Sequence, residues 1–282
     1  MKPKMKMIVI PDLHGRTFWK EAIPYVEAGV PCIFLGDYVD PFPFDGISNQ
    51  ETVDNLKDVV AFARANRDRV TLLLGNHDLS YFGTYWGLWT VFADRFSLEW
   101  GYDIAEVFNE DNSLFSMCLY LEVGGRQLLF SHAGIHPLWV KNCDLFYDVD
   151  VTDGKALAMR VEELFHESLL EEERTDFMEA LSMVGYSRGG NDIAGSMVWA
   201  GIREFKNVSS DFWQIVGHTA QWNANDGSRG VPLTVGNTTC VDCIRCFYID
   251  DGGQLHCLDD EARGDLPLAG ERNLGDLGNR LL

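Results

Sequence analysis

The chain has 282 residues, 46% hydrophobic and 12% aromatic, and a net charge of -20. That supports one large core, and the acidity argues against a nucleic-acid backbone, which is bound mainly by Lys and Arg neutralising phosphates. No apolar stretch approaches the roughly 20 residues of a membrane span, so no membrane partner is expected.

The basic start Met1–Lys6 leads into only four apolar residues, Met7 to Ile10, too few for a signal peptide. Seven cysteines, an odd number without the density of a disulfide framework, point to a reducing, cytoplasmic setting.

Met7-Ile8-Val9-Ile10 reads as a first strand that runs into Asp12-Leu13-His14-Gly15. A short helix over Phe18–Ala28 follows, limited by Pro24. The second strand, Cys32-Ile33-Phe34-Leu35, leads directly to Gly36-Asp37-Tyr38-Val39-Asp40. Ser48-Asn49-Gln50-Glu51 is a capping box, and Val53, Leu56, Val60 and Ala63 continue at helical spacing to Asn66. Val70–Leu74 is a third strand that ends in Gly75-Asn76-His77-Asp78, so strand and helix alternate as in a parallel α/β sheet.

Tyr81, Phe82, Tyr85, Trp86 and Trp89 then lie at helical spacing, which reads as a face packed on the core. Met117–Val123 and Gln127–Ser131 form a hairpin about Gly124-Gly125 that delivers His132-Ala133-Gly134. Thr152–Met183 is helical, with the acidic run Glu171-Glu172-Glu173 as a solvated face or connection. Phe212–Val216 runs into Gly217-His218-Thr219, Gly227–Gly230 reads as a loop, and Arg245–Ile249 with Gln254–Leu258 forms a last hairpin. No linker or internal repeat divides the chain, so one domain over residues 1–282 is expected, with a polar, Gly-rich, flexible tail after about 260.

Five apolar runs thus each deliver oxygen or nitrogen ligands at their C-terminal ends, where open α/β sheets form their ligand crevices. Asp12, His14, Asp37, Asn76, His132 and His218 offer two carboxylates, one amide oxygen and three imidazoles. Mixed oxygen and imidazole sets suit Mn, Fe, Zn or similar ions rather than calcium. Two ions about 3.5 to 4 Å apart need a bridging carboxylate, and Asp37 is the candidate.

The five segments resemble the blocks of the calcineurin-like metallophosphoesterases, specifically the PPP-type branch that includes serine/threonine phosphatases. Those blocks are Gly-Asp-x-His-Gly, Gly-Asp-x-x-Asp-Arg-Gly, Gly-Asn-His-Glu or Asp, a histidine before Ala-Gly or Gly-Gly, and Gly-His, and here they occur in that order from residue 11 to 219. The resemblance implies a four-layer α/β/β/α sandwich. It also implies two divalent transition-metal ions, manganese first among Mn, Fe, Zn and Ni, held by Asp12, His14 and Asp37 and by Asp37, Asn76, His132 and His218. A hydroxide shared by the ions would be the nucleophile, His77 would protonate the leaving oxygen, and Asp40 would orient His77. The implied substrate is a phosphate monoester, on a phosphoprotein or a small molecule.

Three positions depart from the pattern. Pro11 stands where the first glycine belongs. Asp78 replaces the glutamate of the protein phosphatases and, with His132-Ala133-Gly134-Ile135, resembles the symmetrical diadenosine tetraphosphate hydrolases, which gives a second reading. Pro41 takes the place of a phosphate-gripping arginine and offers no N–H. Arg203, in Trp199-Ala200-Gly201-Ile202-Arg203, and Arg16 are candidate substitutes. Pro41 also motivates a third reading, a metal-binding scaffold that has lost catalysis.

His136, His166 and His256 fall outside the blocks and read as hydrogen-bonded core residues. Cys240, Cys243 and Cys246, with Cys257, invite a metal reading, but a strand would turn them to alternate faces, so buried packing is expected.

Overall fold

A computed structural model of the chain describes residues 4–82, 95–171, 175–223 and 227–259. The expected tail and the aromatic residues Tyr85, Trp86 and Trp89 lie outside these, as do Glu172 and Glu173.

The strands β1 (Met5–Ile10), β2 (Cys32–Phe34) and β3 (Val70–Leu73) pair in parallel in that order. The expected first helix divides into a 3-10 turn, Phe18–Ala22, and α1 (Ile23–Glu27), with Pro24 in the first turn of α1 where its missing N–H leaves no bond unmade. α2 (Asn49–Ala65) starts on the Ser48–Glu51 capping box, in which each side chain meets the other's backbone N–H. Beyond β3 come the single turn α3 (Asn76–Leu79), α4 (Gly101–Glu110) and β4 (Phe115–Ser116), which pairs in parallel with β3.

β5 (Cys118–Val123) and β6 (Arg126–Ser131) form the expected hairpin, with both Gly124 and Gly125 at the positive φ its turn requires. The helices α5 (Pro137–Asn142), α6 (Gly154–Leu170) and α7 (Asp176–Leu181) lead to β7 (Trp213–Val216). The short strands β8 (Leu233–Val235) and β9 (Thr238–Cys240) follow, then the hairpin β10 (Phe247–Asp250) and β11 (Leu255–Cys257).

The first sheet is ordered β11-β10-β1-β2-β3-β4, the second β5-β6-β7-β9-β8. Alternation explains how they stack. Met7, Val9, Ile33, Leu35 and Leu73 face Leu128, Phe130 and Ile215 in one apolar cluster between the sheets. The intervening residues Ile8, Ile10, Phe34 and Leu72 point the other way, onto Trp19 and the Val53, Leu56, Val59, Val60 stripe of α2. On the far side Leu129 belongs with Leu157, Val161, Leu164 and Phe165 of α6. The result is the expected four-layer α/β/β/α sandwich, in which β1, β2 and β3 of one sheet and β6 and β7 of the other end beside one another.

The three cysteines of the Cys240–Cys246 segment enter three separate apolar clusters, Cys240 with Ile202 and Val216, Cys243 with Val241 and Phe247, and Cys246 with Phe34 and Tyr248. They therefore do not converge on an ion, as expected. His136 is buried and caps α5, while His166 is exposed on α6, where its Nδ1 bonds the Glu162 carbonyl. The core reading of His166 is thus corrected: it lies one position beyond Phe165, on the side of the helix turned to solvent. His256 is half-buried and bonds Asp250 at 2.8 Å.

Candidate functional site

Backbone hydrogen bonds that extend the strands stitch the first candidate ligand loop to the second and the fourth to the fifth. Leu13 and His14 donate to the Asp37 carbonyl at 3.0 and 2.8 Å, Leu35 donates to Ile10, and Gly217 donates to His132 at 2.7 Å. Four of the five non-glycine residues at positive φ among the described residues are His14, Asp37, Asp40 and His218, all expected at the site. Such backbone persists where surrounding bonds over-determine it. Crowding has the same origin: a Cβ on Gly75 would come within 2.2 Å of Asp37 Oδ1 and 2.7 Å of His132 Cε1, and one on Gly217 within 1.9 Å of Asp12 Oδ1.

Each ring is held in one orientation. His14 Nδ1 donates to the Val39 carbonyl at 2.9 Å and His132 Nδ1 to the Leu35 carbonyl at 2.8 Å, which turns both Nε2 atoms toward Asp37 Oδ2, at 3.6 and 3.4 Å. Asp37 Oδ1 accepts the His77 N–H at 3.0 Å. His132 Nε2 also lies 3.0 Å from Asn76 Oδ1 and 3.2 Å from His218 Nδ1. Two triads close enough to hold an ion result, His14–Asp37–His77 and Asp37–His132–His218, and they share Asp37. Asp12 stands beside them rather than within either, since both of its oxygens accept the His218 N–H at 3.1 and 2.8 Å.

Burial lowers the His14 and His218 pKa values well below the ordinary one, so both rings are neutral and able to ligate. Burial also opposes a charge on Asp37, but His132, His77 and His14 around it hold its pKa well down. For Asp12, burial and the neighbouring Asp37 raise the pKa. Burial alone would lower that of His132, yet Asp37 and Asp12 push it up to about 10. His218 Nε2, buried without a hydrogen-bond partner, is a polar atom left over in the same cluster. The residues fit a metal centre built on two groups that share Asp37.

Beside this cluster, His77 Nδ1 meets Asp40 Oδ2 at 2.7 Å, and the other Asp40 oxygen accepts the Tyr81 hydroxyl at 2.6 Å. Burial works against a charged His77, but Asp37 and Asp40 outweigh it and raise the pKa.

Asp78 is fully buried. Its Oδ2 accepts the Asp37 and Gly75 N–H groups at 2.6 and 2.8 Å, and its Oδ1 accepts Tyr38 N–H at 2.8 Å. It clamps the second and third loops together. Asp78→Ala would strand three buried donors and is expected to cost about 3–5 kcal/mol, read by urea unfolding. A loss below about 1 kcal/mol would contradict the clamp.

Neither arginine selected from sequence reaches the cluster. Arg16 is buried in an ion pair with Asp45 at 2.7 Å and lies between the Phe42 and Trp222 rings. Arg203 is exposed on the 3-10 turn Ile202–Asn207. Its segment does border the site, since the Trp199 ring packs edge-on 5.7 Å from that of His218. The neighbouring Glu204 is the organiser there, tying Gly195 and Gly201 N–H at 2.9 and 3.1 Å and the Ser187 hydroxyl.

Two other arginines flank the ligands. Arg188, exposed in the turn Tyr186–Arg188, donates to the His218 carbonyl at 3.0 Å and Thr219 Oγ1 at 2.8 Å. Arg95 donates from Nε to the Asp40 carbonyl at 3.0 Å and places a terminal nitrogen 3.3 Å from His77 Nε2. Arg188 had a weak signal, an arginine before Gly189-Gly190; Arg95 had none.

Residues 5–221 match the calcineurin-like phosphoesterase family. No curated protein matches the sequence. Among solved structures, a cold-active protein-tyrosine phosphatase of a psychrophilic Shewanella species is similar, with 15% identity, a TM-score of 0.51 and coverage of 90% of this chain and 80% of that one. A protein serine/threonine phosphatase from Saccharomyces cerevisiae matches at 14% identity and a TM-score of 0.40, covering 89% of this chain and 74% of its own. The likeness to the first of these at 15% identity is one of fold alone, whereas the family match spans most of the chain and all five loops: the chain belongs to the calcineurin-like phosphoesterase family.

Proposed function

We propose that the protein is a dinuclear-metal phosphoesterase that hydrolyses phosphate monoesters, of a phosphoprotein or a small molecule, and that it stands with the PPP-type branch of its family. The observation that carries this reading is the pair of ligand triads sharing Asp37, with the His77–Asp40 pair alongside. Asp12, His14 and Asp37 would hold one ion and Asp37, Asn76, His132 and His218 the other, with manganese the first candidate. When bound, such ions neutralise phosphate charge and lower the pKa of water.

The chain's own groups supply the rest. Asp40 anchors His77 Nδ1–H, which directs Nε2 outward to give a proton to the ester oxygen as its bond to phosphorus breaks. Water provides the new P–O bond, and the products are an alcohol or phenol and inorganic phosphate. Arg188, beside His218, is suited to hold a phosphate oxygen. A decayed scaffold would have no need of a proton donor tied to a carboxylate that is itself supported by Tyr81. Seven unpaired thiols fit the proposed reducing, cytoplasmic setting.

Chelated and then manganese-loaded protein is expected to release phosphate from an aryl phosphate only in the loaded form. Turnover of diadenosine tetraphosphate alone would move the reading to a dinucleoside polyphosphate hydrolase. No release from either with Mn, Fe, Zn or Ni would sink both.

A further inference from the structure

Arg95 lies far along the chain from the block that ends in Pro41, yet its guanidinium sits against the same loop. Its Nε bonds the carbonyl of Asp40, the residue immediately before Pro41. Its plane lies over the Phe42 ring, the residue immediately after, with Cζ 3.8 Å from the centroid. The side chain therefore contacts both flanks of the proline, through a hydrogen bond on one and a cation–π contact on the other.

What it is aimed at is unusual for an arginine that only braces a loop. Its terminal nitrogen meets His77 Nε2 at 3.3 Å, the atom that would face the leaving oxygen. An anionic oxygen placed against both groups would accept a charge-assisted hydrogen bond from each.

We infer that Arg95 is the second phosphate-gripping group of the site, standing in for the contact Pro41 cannot make, and that it works opposite Arg188 to select terminal phosphate monoesters. The inference rests on the function proposed above. Arg95 approaches from the His77 side and Arg188 from the His218 side. A monoester dianion has three non-bridging oxygens, so it can offer one to each guanidinium and keep one for the ligand cluster. A diester has two and leaves one guanidinium unpaired.

The test is titration calorimetry of manganese-loaded protein with inorganic phosphate, together with metal content and kinetics on an aryl monoester and an aryl diester. Arg95→Ala is expected to weaken phosphate binding about tenfold or more, to keep the metal content, and to narrow the monoester preference. Arg95→Lys is expected to fall between it and the parent, since a point charge replaces a planar fork. Should the alanine variant fail to fold, the lysine variant decides by the same titration. Unchanged phosphate affinity would overturn the inference. So would a fall in kcat with phosphate affinity intact, which would make Arg95 only a positioning residue for His77. Parent protein that binds phosphate but hydrolyses no ester would sink the proposed function and leave the Arg95 comparison readable; parent that binds no phosphate would overturn both.

Discussion

Asp37→Asn is expected to strip the metal centre and lower turnover by at least about 100-fold. Asp37 is the one residue common to both triads, so a single change acts on both ions. Its Oδ1 already accepts the His77 N–H at 3.0 Å, while Oδ2 faces His14 and His132. An asparagine amide must therefore set its NH2 either against a backbone donor or among the two imidazole nitrogens, and in neither pose does it bring the charge that offsets two cations. Asparagine is the right probe because the position has φ of 53°, a conformation that asparagine adopts readily and alanine does not. A folded variant is thus expected, and the loss is chemical. Metal content after gel filtration and aryl phosphate turnover read it together. Full occupancy with full turnover would remove Asp37 from the bridge.

The part of this site legible in the sequence is the part made by local rules. A buried strand in a parallel sheet reads as an apolar run, and the candidate ligands sit directly after it, so Asp12, His14, Asp37, Asn76, His132 and His218 can be singled out as candidates without knowing how the strands pair. The Ser48–Glu51 cap and the Gly124-Gly125 turn are likewise fixed by neighbours in the chain. β8 and β9 escaped notice because each has three residues, too few to show a period, and Thr238-Thr239 does not read as an apolar run even though both residues are buried. Arginines are harder still. A long side chain covers several ångströms from its Cα, and whether it meets a carboxylate, as Arg16 does with Asp45, or a ligand-bearing loop, as Arg95 and Arg188 do, depends on contacts between distant segments. The structural role of Asp78 depends on distant contacts in a related way. Its three backbone donors, from Asp37, Tyr38 and Gly75, make it a clamp between loops.

His77→Ala is expected to leave the metals in place and slow turnover by about two to four orders of magnitude. The ring reaches the cluster, since its nitrogen lies within the first triad, but Nδ1 is taken by Asp40 at 2.7 Å, and that carboxylate favours the protonated ring. A ring held and charged in this way fits a proton donor better than a ligand. The loss should depend on the leaving group: an alkyl ester, whose departing oxygen is strongly basic, needs the proton, whereas a nitrophenyl ester leaves almost as well without it. A large drop on the alkyl ester with a small one on the nitrophenyl ester therefore identifies a general acid, and equal drops on both would mean that His77 serves binding or structure. Asp40→Asn should reproduce the same asymmetry more weakly, because the ring keeps a hydrogen-bonding neighbour but loses the charge that stabilises its protonated form. If metal content falls with turnover in either variant, His77 belongs to the ligand set, and the proton must come from elsewhere.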